Sequence, residues 1–300
     1  MTMTMHFLKT LFSFLTLALF SAGVTAGVKI EHWTTATGAR VYFVETRGLP
    51  ILDVQLDFAA GNGYAAPGKA GLPALTRGLL DAGAGDLDEE RLAERLTDTG
   101  AQLGGGVDND RASVILRTLS AQPEREAALA LMRTVLSAPT FPQAVLTREA
   151  ERSIAALREA DTQPGAIAAK RFAAAIYSEH PYGVSATAES VAAITRQDLI
   201  DFYQQHYAAK NATISLIGDI SRSEAEAIAQ QLSQALPAGG APVILPPVTL
   251  PKSQTIKVAH PAAQSHVHIG LPAVRRGDPD YFALLVGNYT LGGGGFASRL

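Results

Sequence analysis

Residues 71–85, GLPALTRGLLDAGAG, are the most informative stretch for the fold. Their pattern predicts a helix that follows a strand and a break in the chain. The strand is the segment at 51–58, ILDVQLDF, whose apolar and polar residues alternate as in a half-buried strand. The tripeptide at 61–63, Gly-Asn-Gly, then interrupts the pattern. A helix is predicted over residues 70–81, although Gly78 inside it costs stability relative to alanine.

Strands and helices mix along the rest of the chain up to residue 236 without a regular β-α-β alternation. Further strands are predicted at residues 28–33, 40–45, 101–107, 112–119 and 212–217. Further helices are predicted at residues 88–97, 124–136, 143–160, 165–177, 195–207 and 221–236. Thr195 and Asp198 have the spacing of a capping box. The sequence therefore predicts an α+β fold.

Residues 237–251 contain five prolines and two glycines, which is typical of an extended linker between two globular units. Beyond it, strands are predicted at 254–260 and 265–271 and a helix at 280–291, the order with which the first unit begins. The predicted domains are a first unit at 27–236 and the start of a second, homologous unit at 252–300. A unit of about fifty residues is marginal alone, so either it packs on the first or the sequence is a fragment, which we favour.

The composition, 47% hydrophobic and 18% charged in 300 residues, is that of a folded globular protein. A formal net charge of −3 gives no electrostatic basis for binding nucleic acid, so no such partner is expected. Because the chain has no cysteine, disulfides, thiolate nucleophiles and Cys-based metal sites are excluded.

Residues 1–26 have the pattern of a secretory signal peptide. His6 and Lys9 give a weakly basic start, residues 11–20 are apolar, and the small residues 24–26 form a cleavage site. The apolar run is too short to span a bilayer comfortably, so no stable membrane insertion is expected after cleavage. An uncleaved N-terminal anchor is the alternative. Export without disulfides is compatible with a bacterial periplasm, which is the predicted location.

The predicted helix at 70–81 resembles the signature helix of the pitrilysin/insulinase-type zinc peptidases, where a Gly-Leu pair leads into an inverted H-x-x-E-H motif. In that motif two histidines hold zinc and the glutamate is the general base. The resemblance places the histidines on Ala74 and Gly78, the glutamate on Arg77 and a further glutamate ligand on Ala156. Alanine and glycine carry no donor atom and arginine is a permanent cation, so zinc is predicted to be absent.

Other motifs extend the resemblance over almost everything after the predicted signal peptide. They are His180-Pro181-Tyr182-Gly183, Asp198-Leu199, Phe202-Tyr203, His206-Tyr207, Asn211-Ala212-Thr213, Gly218-Asp219, Gln264-Ser265-His266 and Leu291-Gly292-Gly293-Gly294. The resemblance implies two homologous α+β domains, each with a mostly antiparallel sheet packed by helices, facing one another across a chamber. It also implies that this chain is cut early in the second domain, before an arginine–tyrosine pair that contacts substrate.

Histidines offer few alternatives for a metal. No histidine lies between His32 and His180, so a site of two histidines and one carboxylate is impossible in that region. His266 and His268 have metal-like spacing on one face of a predicted strand, and His260 is a third ligand only if the strands bring it near. The alternative is a half-solvated strand without metal. 

Two glycine runs and one arginine have open interpretations. The run at 104–106 lets a strand bend or another backbone come close. Glycines at the end of the predicted last helix either terminate it or hold substrate, as glycine-rich loops of non-catalytic family members are implicated in doing. These candidate substrate-binding residues are Gly292, Gly293, Gly294 and Gly295. Arg77 either pairs with Glu149, an acid that the resemblance also retains, or is a solvated surface residue.

The leading functional hypothesis is a non-catalytic subunit that binds peptide and complements a catalytic H-x-x-E-H partner. A stand-alone periplasmic peptide- or protein-binding module is the alternative, because the fold can capture a ligand without chemistry. An active metallopeptidase is the third hypothesis, and it requires a different set of ligands in tetrahedral array.

Overall fold

The computed structural model describes residues 28–240 and 243–299 of the chain. The predicted signal peptide at 1–26 lies outside these residues. Within the two described ranges, no helix is long and apolar enough to cross a membrane.

Six of the described strands form one sheet, and two short ones form a separate pair. The strands are Glu31–Thr34 (β1), Arg40–Glu45 (β2), Ile51–Phe58 (β3), Gly83–Ala84 (β4), Leu87–Asp88 (β5), Gln102–Val107 (β6), Ala112–Leu119 (β7) and Ala212–Gly218 (β8). The spatial order of the large sheet is β1-β2-β8-β3-β7-β6, and β4 pairs with β5. All neighbouring strands are antiparallel except β2 and β8, which are parallel. The large sheet is therefore mostly antiparallel, with β1 and β6 at its edges.

The central strand β3 shows why the sheet forms where the sequence alternates. Its apolar side chains point to one face and are buried, while the residues between them are half-buried. Val54, for example, lies opposite Leu116 of β7 and Leu216 of β8, and all three are buried. Each such side chain contributes about 1.5–3 kcal/mol on burial. The opposite face is open and carries exposed apolar side chains, which are Tyr42, Ile115, Leu119 and Ile217.

The described helices differ in how they contact the sheet, and the last one has no buried residue. They are Leu72–Gly78 (α1), Glu89–Asp98 (α2), Gln122–Ser137 (α3), Gln143–Ala160 (α4), Pro164–Ile176 (α5), Ala188–Ala192 (α6), Arg196–His206 (α7), Arg222–Gln234 (α8) and Tyr281–Asn288 (α9). The helix α3 contacts β7, α8 contacts β2 and β8, and α1 contacts β6 and β7. The predicted capping box of Thr195 and Asp198 is present at the start of α7. The α+β class, with a mostly antiparallel sheet packed by helices, is confirmed.

The strands predicted at 254–260 and 265–271 are wrong, because neither segment is in a strand. A strand needs a paired neighbour and a face that it can bury. Here the apolar side chains of the alternating pattern are exposed, among them Ile256, Val258 and Ile269. The helix predicted at 280–291 is present as α9 and continues as a π-helical turn, Tyr289–Gly293. 

Hydrogen bonds to a carboxylate at the N-terminus of α8 lead us to expect that the protein loses stability in acid. The N–H and hydroxyl of Ser221 donate to Glu224, as does Arg125 from α3, at 2.8–2.9 Å. These bonds, those from Ser221 first, lower the pKa of Glu224 to about 2. A carboxyl whose pKa is depressed by folding stabilises the protein above its unfolded value of 4.5. We therefore expect this stabilisation to be lost as the pH falls from about 4.5 to about 2.

Urea unfolding of the wild type and of Glu224→Gln at neutral pH and near the lower end of that window tests the expectation. The amide cannot titrate, so the variant is expected to be less stable at neutral pH and to lose less stability on acidification. Equal pH dependence of the two proteins would show that Glu224 is not responsible.

Candidate functional site

The helix α1 exposes two small residues and buries its arginine. Ala74 and Gly78, one turn apart, are exposed. Arg77 lies between them in sequence, and its side chain is only 7% exposed. The leucines of α1 belong to the core and set this orientation, since Leu72 and Leu75 are buried. The helix is shorter than the predicted 70–81, because it begins after Gly71, whose φ is +102°, and ends at Gly78.

The guanidinium of Arg77 lies against the hairpin of β6 and β7. Its Nε donates to the carbonyl oxygen of Ser113 at 2.7 Å. Gly105 of β6 provides the space, because a Cβ there would lie 2.7 Å from Nη2 and 2.8 Å from Nε. The nearest acidic group among the described residues is Asp81, 3.8 Å from Nη1. Arg77 thus ties the helix to the edge of the sheet.

Both predictions for Arg77 are wrong. It does not pair with Glu149, whose carboxylate is 3.0 Å from Arg148 and 3.8 Å from Arg152. It is also not a solvated surface residue. The physical reason is that α1 turns position 77 toward the sheet, where the carbonyl of Ser113 accepts its hydrogen bond.

A buried hydroxyl near Arg77 has no hydrogen-bond partner among the described residues. It is the hydroxyl of Tyr207, a fully buried residue of the core. Burial raises the pKa of Tyr207, and the positive charge of Arg77 opposes that effect. The hydroxyl of Tyr207 and the guanidinium of Arg77 therefore lie in the same water-shielded region, near the last turn of α1.

Zinc does not fit the residues at the family positions. Ala74, Gly78 and Ala156 are exposed and carry no atom that could coordinate a metal. The fourth position holds a guanidinium, which repels a dication. The structure does bring the two helices of these positions together, since α1 contacts α4. Within residues 28–240 and 243–299, no three His, Asp or Glu side chains are grouped as metal ligands.

The histidines of the segment after residue 251 make separate contacts. His260 donates from Nε2 to the carbonyl oxygen of Thr162 at 3.1 Å. His268 stacks on Phe172 of α5, with ring centroids 5.5 Å apart. His266 lies beside Gly165, where a Cβ would be 3.4 Å from the imidazole ring. The spacing of His266 and His268 therefore does not produce a metal site together with His260.

Two other histidines have structural contacts. His180 accepts from the N–H of Tyr182 at 3.2 Å and donates to the carbonyl oxygen of Pro246 at 2.9 Å. It therefore connects the turn in which it lies to the predicted linker. His206 donates to the carbonyl oxygen of Ala59 at 3.0 Å and packs on Phe202. Burial lowers the pKa of His206, which favours the neutral ring. Neither side chain is arranged for catalysis.

The two glycine runs differ in their surroundings. Gly104 and Gly106 face open space, whereas Gly105 is in close contact with Arg77 and Ser113. The C-terminal run makes local contacts: a Cβ on Gly294 would lie 3.1 Å from the carbonyl oxygen of Tyr289. Gly295 has a φ of +58° and follows the π-helical turn. Substrate binding by the run at 292–295 stays a prediction.

Sequence reasoning missed a cleft of about 570 Å³ on the open face of the sheet. Arg117 of β7 lines it and donates to both oxygens of Asp53 of β3, at 2.6 and 2.7 Å. Gln55, Ser215 and the exposed Ile217 also line it. The alternation in β3 and β7 identifies these outward positions, but only the register Asp53↔Arg117 shows that they pair across strands.

Known proteins resemble this chain in sequence and in fold. Residues 193–300 match the family model described as the Peptidase M16 inactive domain. A crystal structure of a peptidase M16 inactive domain from Pseudomonas fluorescens has 37% sequence identity and a TM-score of 0.81, covering 91% of this chain and 66% of that one. The chain belongs to the M16, or pitrilysin/insulinase-type, peptidase family. It lacks the H-x-x-E-H residues of that family.

Two proteins of lower sequence identity extend the comparison. The crystal structure of pitrilysin has 19% identity and a TM-score of 0.62, covering 74% of this chain and 24% of pitrilysin, which shows the shared fold. An uncharacterized zinc protease of Rickettsia bellii is 20% identical over 188 residues, which are 62% of this chain and 45% of the relative. The chain thus spans about half the length of this curated relative.

Proposed function

We propose that this M16 chain is an exported, non-catalytic subunit that binds peptide and complements a zinc-bearing H-x-x-E-H relative. The observation that carries the proposal is the state of α1. Arg77 is buried where the family has its general base, and the ligand positions 74, 78 and 156 have no donor atom. A site of this composition cannot hold the metal that activates water for peptide hydrolysis.

The edge strand β6 supports peptide binding. Among the residues that the structure describes it pairs with β7 on one side only, so its outer N–H and C=O groups are available to a further strand. A Cβ on Gly104 or Gly106 would meet nothing within 4 Å, so the strand is sterically open. Because α1 contacts β6, an extended peptide added there lies next to Arg77. 

The opposite edge is less suited to a peptide. The strand β1 has four residues, and Glu31 in it is paired with Lys29 and Arg222. The guanidinium of Arg222 also covers the ring of Trp33 at 3.7 Å. Short, charged edges disfavour the addition of another strand. We therefore assign peptide addition to β6.

The need for a partner subunit follows from how a two-part chamber would enclose and cleave a peptide. Enclosing an extended peptide takes two surfaces, but hydrolysis takes only one metal. The exposed apolar side chains on the open face of the sheet support contact with another subunit. The predicted signal peptide and the absence of cysteine support the periplasm as the place of assembly.

A stand-alone peptide- or protein-binding module is the second candidate. The position of β6 at the edge of the sheet favours this candidate as well, because β6 can add a strand without help from another subunit. The two candidates differ in whether a catalytic homologue binds to the chain.

Co-purification with an H-x-x-E-H homologue encoded near this chain tests the choice. We expect the two proteins to copurify and the mixture to cleave a fluorogenic peptide about tenfold faster than the homologue alone. Replacing the motif glutamate of the homologue is expected to abolish the cleavage. A homologue whose activity and elution are unaffected by the chain would leave the stand-alone module. Stoichiometric zinc and peptide hydrolysis in the isolated chain would overturn the non-catalytic assignment.

A further inference from the structure

We propose that Arg77 binds a carboxylate, so that peptides added to β6 are held through an acidic side chain. The inference rests on the proposed peptide binding and specifies the chemistry of the peptide. It starts from the disagreement between the site and zinc. Where the family holds a dication with neutral and acidic ligands, this chain presents a cation that itself attracts an anion.

The hydrogen-bonding capacity of Arg77 is mostly unused. A guanidinium has N–H donors on three nitrogens, and only Nε has an acceptor, the carbonyl oxygen of Ser113. Nη1 and Nη2 make no hydrogen bond to another residue in the part of the chain that the structure describes. A cation whose side chain is 7% exposed is costly without such partners. The two free nitrogens match the two oxygens of a carboxylate.

The surroundings of the guanidinium leave a route to it. Gly78, the next residue of α1, is exposed, and a Cβ there would meet nothing within 4 Å. Asp81, at 3.8 Å from Nη1, is 30% exposed, so this end of the guanidinium is at the boundary with water. On the other side, Gly105 contributes backbone alone. A side chain from a peptide along β6 therefore has a short path to Nη1 and Nη2.

Asp81 is the resident competitor for this position. Its carboxylate is within ion-pair distance of Nη1 but beyond hydrogen-bond distance. A peptide carboxylate that makes two hydrogen bonds replaces a loose ion pair by a bidentate one, which is stronger and more directional. Removing the charge of Asp81 should then strengthen binding of an acidic peptide.

Fluorescence anisotropy with a matched pair of peptides tests the inference on the full chain. Both peptides are amidated, long enough to pair along β6 and alternately apolar; one carries glutamates at the remaining positions and the other glutamines. We expect the glutamate peptide to bind about tenfold more tightly. Asp81→Asn is expected to tighten its binding about two- to fivefold.

Two arginine variants complete the test. Arg77→Gln keeps an amide that can donate to Ser113 and is expected to remove the preference for glutamate, whereas the matched variant Arg152→Gln is expected to keep it. Equal binding of the two peptides to the wild type would overturn the carboxylate site and leave peptide binding intact. Binding of neither peptide would overturn both proposals. A glutamate preference that survives in Arg77→Gln and is unchanged in Asp81→Asn would place the carboxylate elsewhere.

Discussion

Replacing Gly105 with alanine is expected to lower the free energy of unfolding by about 2–5 kcal/mol, through backbone strain and overpacking together. Gly105 has a φ of +147°, which residues with a Cβ rarely adopt. A Cβ there would lie 1.9 Å from the carbonyl oxygen of Ser113 and 2.7 Å from Nη2 of Arg77. Since the first of these is backbone, relief requires β6 to move away from β7. Urea unfolding followed by circular dichroism measures the loss.

The neighbouring variant Gly104→Ala is the matched control. Gly104 is in the same strand, has no positive φ, and a Cβ there would meet nothing within 4 Å. Its replacement is expected to change the free energy of unfolding by less than about 1 kcal/mol. Equal unfolding midpoints for the two alanine variants would contradict the described contact between β6, β7 and Arg77.

The parts of the fold that the sequence predicted are those fixed by local patterns. The strands β3 and β7 and the helix α4 have the predicted bounds, because one face of each is apolar at the period of its structure. The capping box at Thr195 was predictable because both partners are three residues apart. The helix predicted at 88–97 is present as α2 and begins one residue later, because Asp88 caps it by accepting from the N–H of Arg91.

The elements that were missed depend on distant partners or are very short. The strands β4 and β5 have two residues each, and a single bridge joins Ala84 to Pro139. The five residues of α6 follow a capping box of Thr187 and Ser190 that the Thr-x-x-Ser spacing could have suggested. Conversely, the alternation at 254–271 is a real strand pattern, but no strand pairs with it in the described residues.

For the candidate site, the sequence could show only that the residues of the family motif are replaced. The sequence shows that Ala74 and Gly78 lack donor atoms, but not where the side chain of Arg77 goes. Its acceptor, Ser113, is 36 positions away in sequence. The glycine run at 104–106 was predicted to let a strand bend or another backbone come close. A backbone group does come close, but the approach of a side chain was not predicted. Gly105 accommodates both a backbone carbonyl and the guanidinium of Arg77.

Placing a glutamate at position 77 is expected to destabilise the protein by about 3–5 kcal/mol instead of repairing a catalytic site. Arg77→Glu removes the donor that Ser113 accepts from and puts a carboxylate next to that carbonyl oxygen and near Asp81. Both contacts are repulsive, and the position is largely shielded from water. Chemical unfolding compares this variant with Arg152→Glu, whose native side chain is 81% exposed. The control is expected to change the free energy by less than about 1 kcal/mol.

The same argument extends to the triple variant Ala74→His, Arg77→Glu, Gly78→His. The two histidines replace exposed small residues and are expected to be tolerated, so the instability should come from position 77. We expect no peptide hydrolysis, because Ala156 still leaves the zinc shell incomplete. A stable triple variant that hydrolyses peptide with bound zinc would contradict both expectations. A stable but inactive one would show that the sheet edge accommodates a carboxylate at position 77.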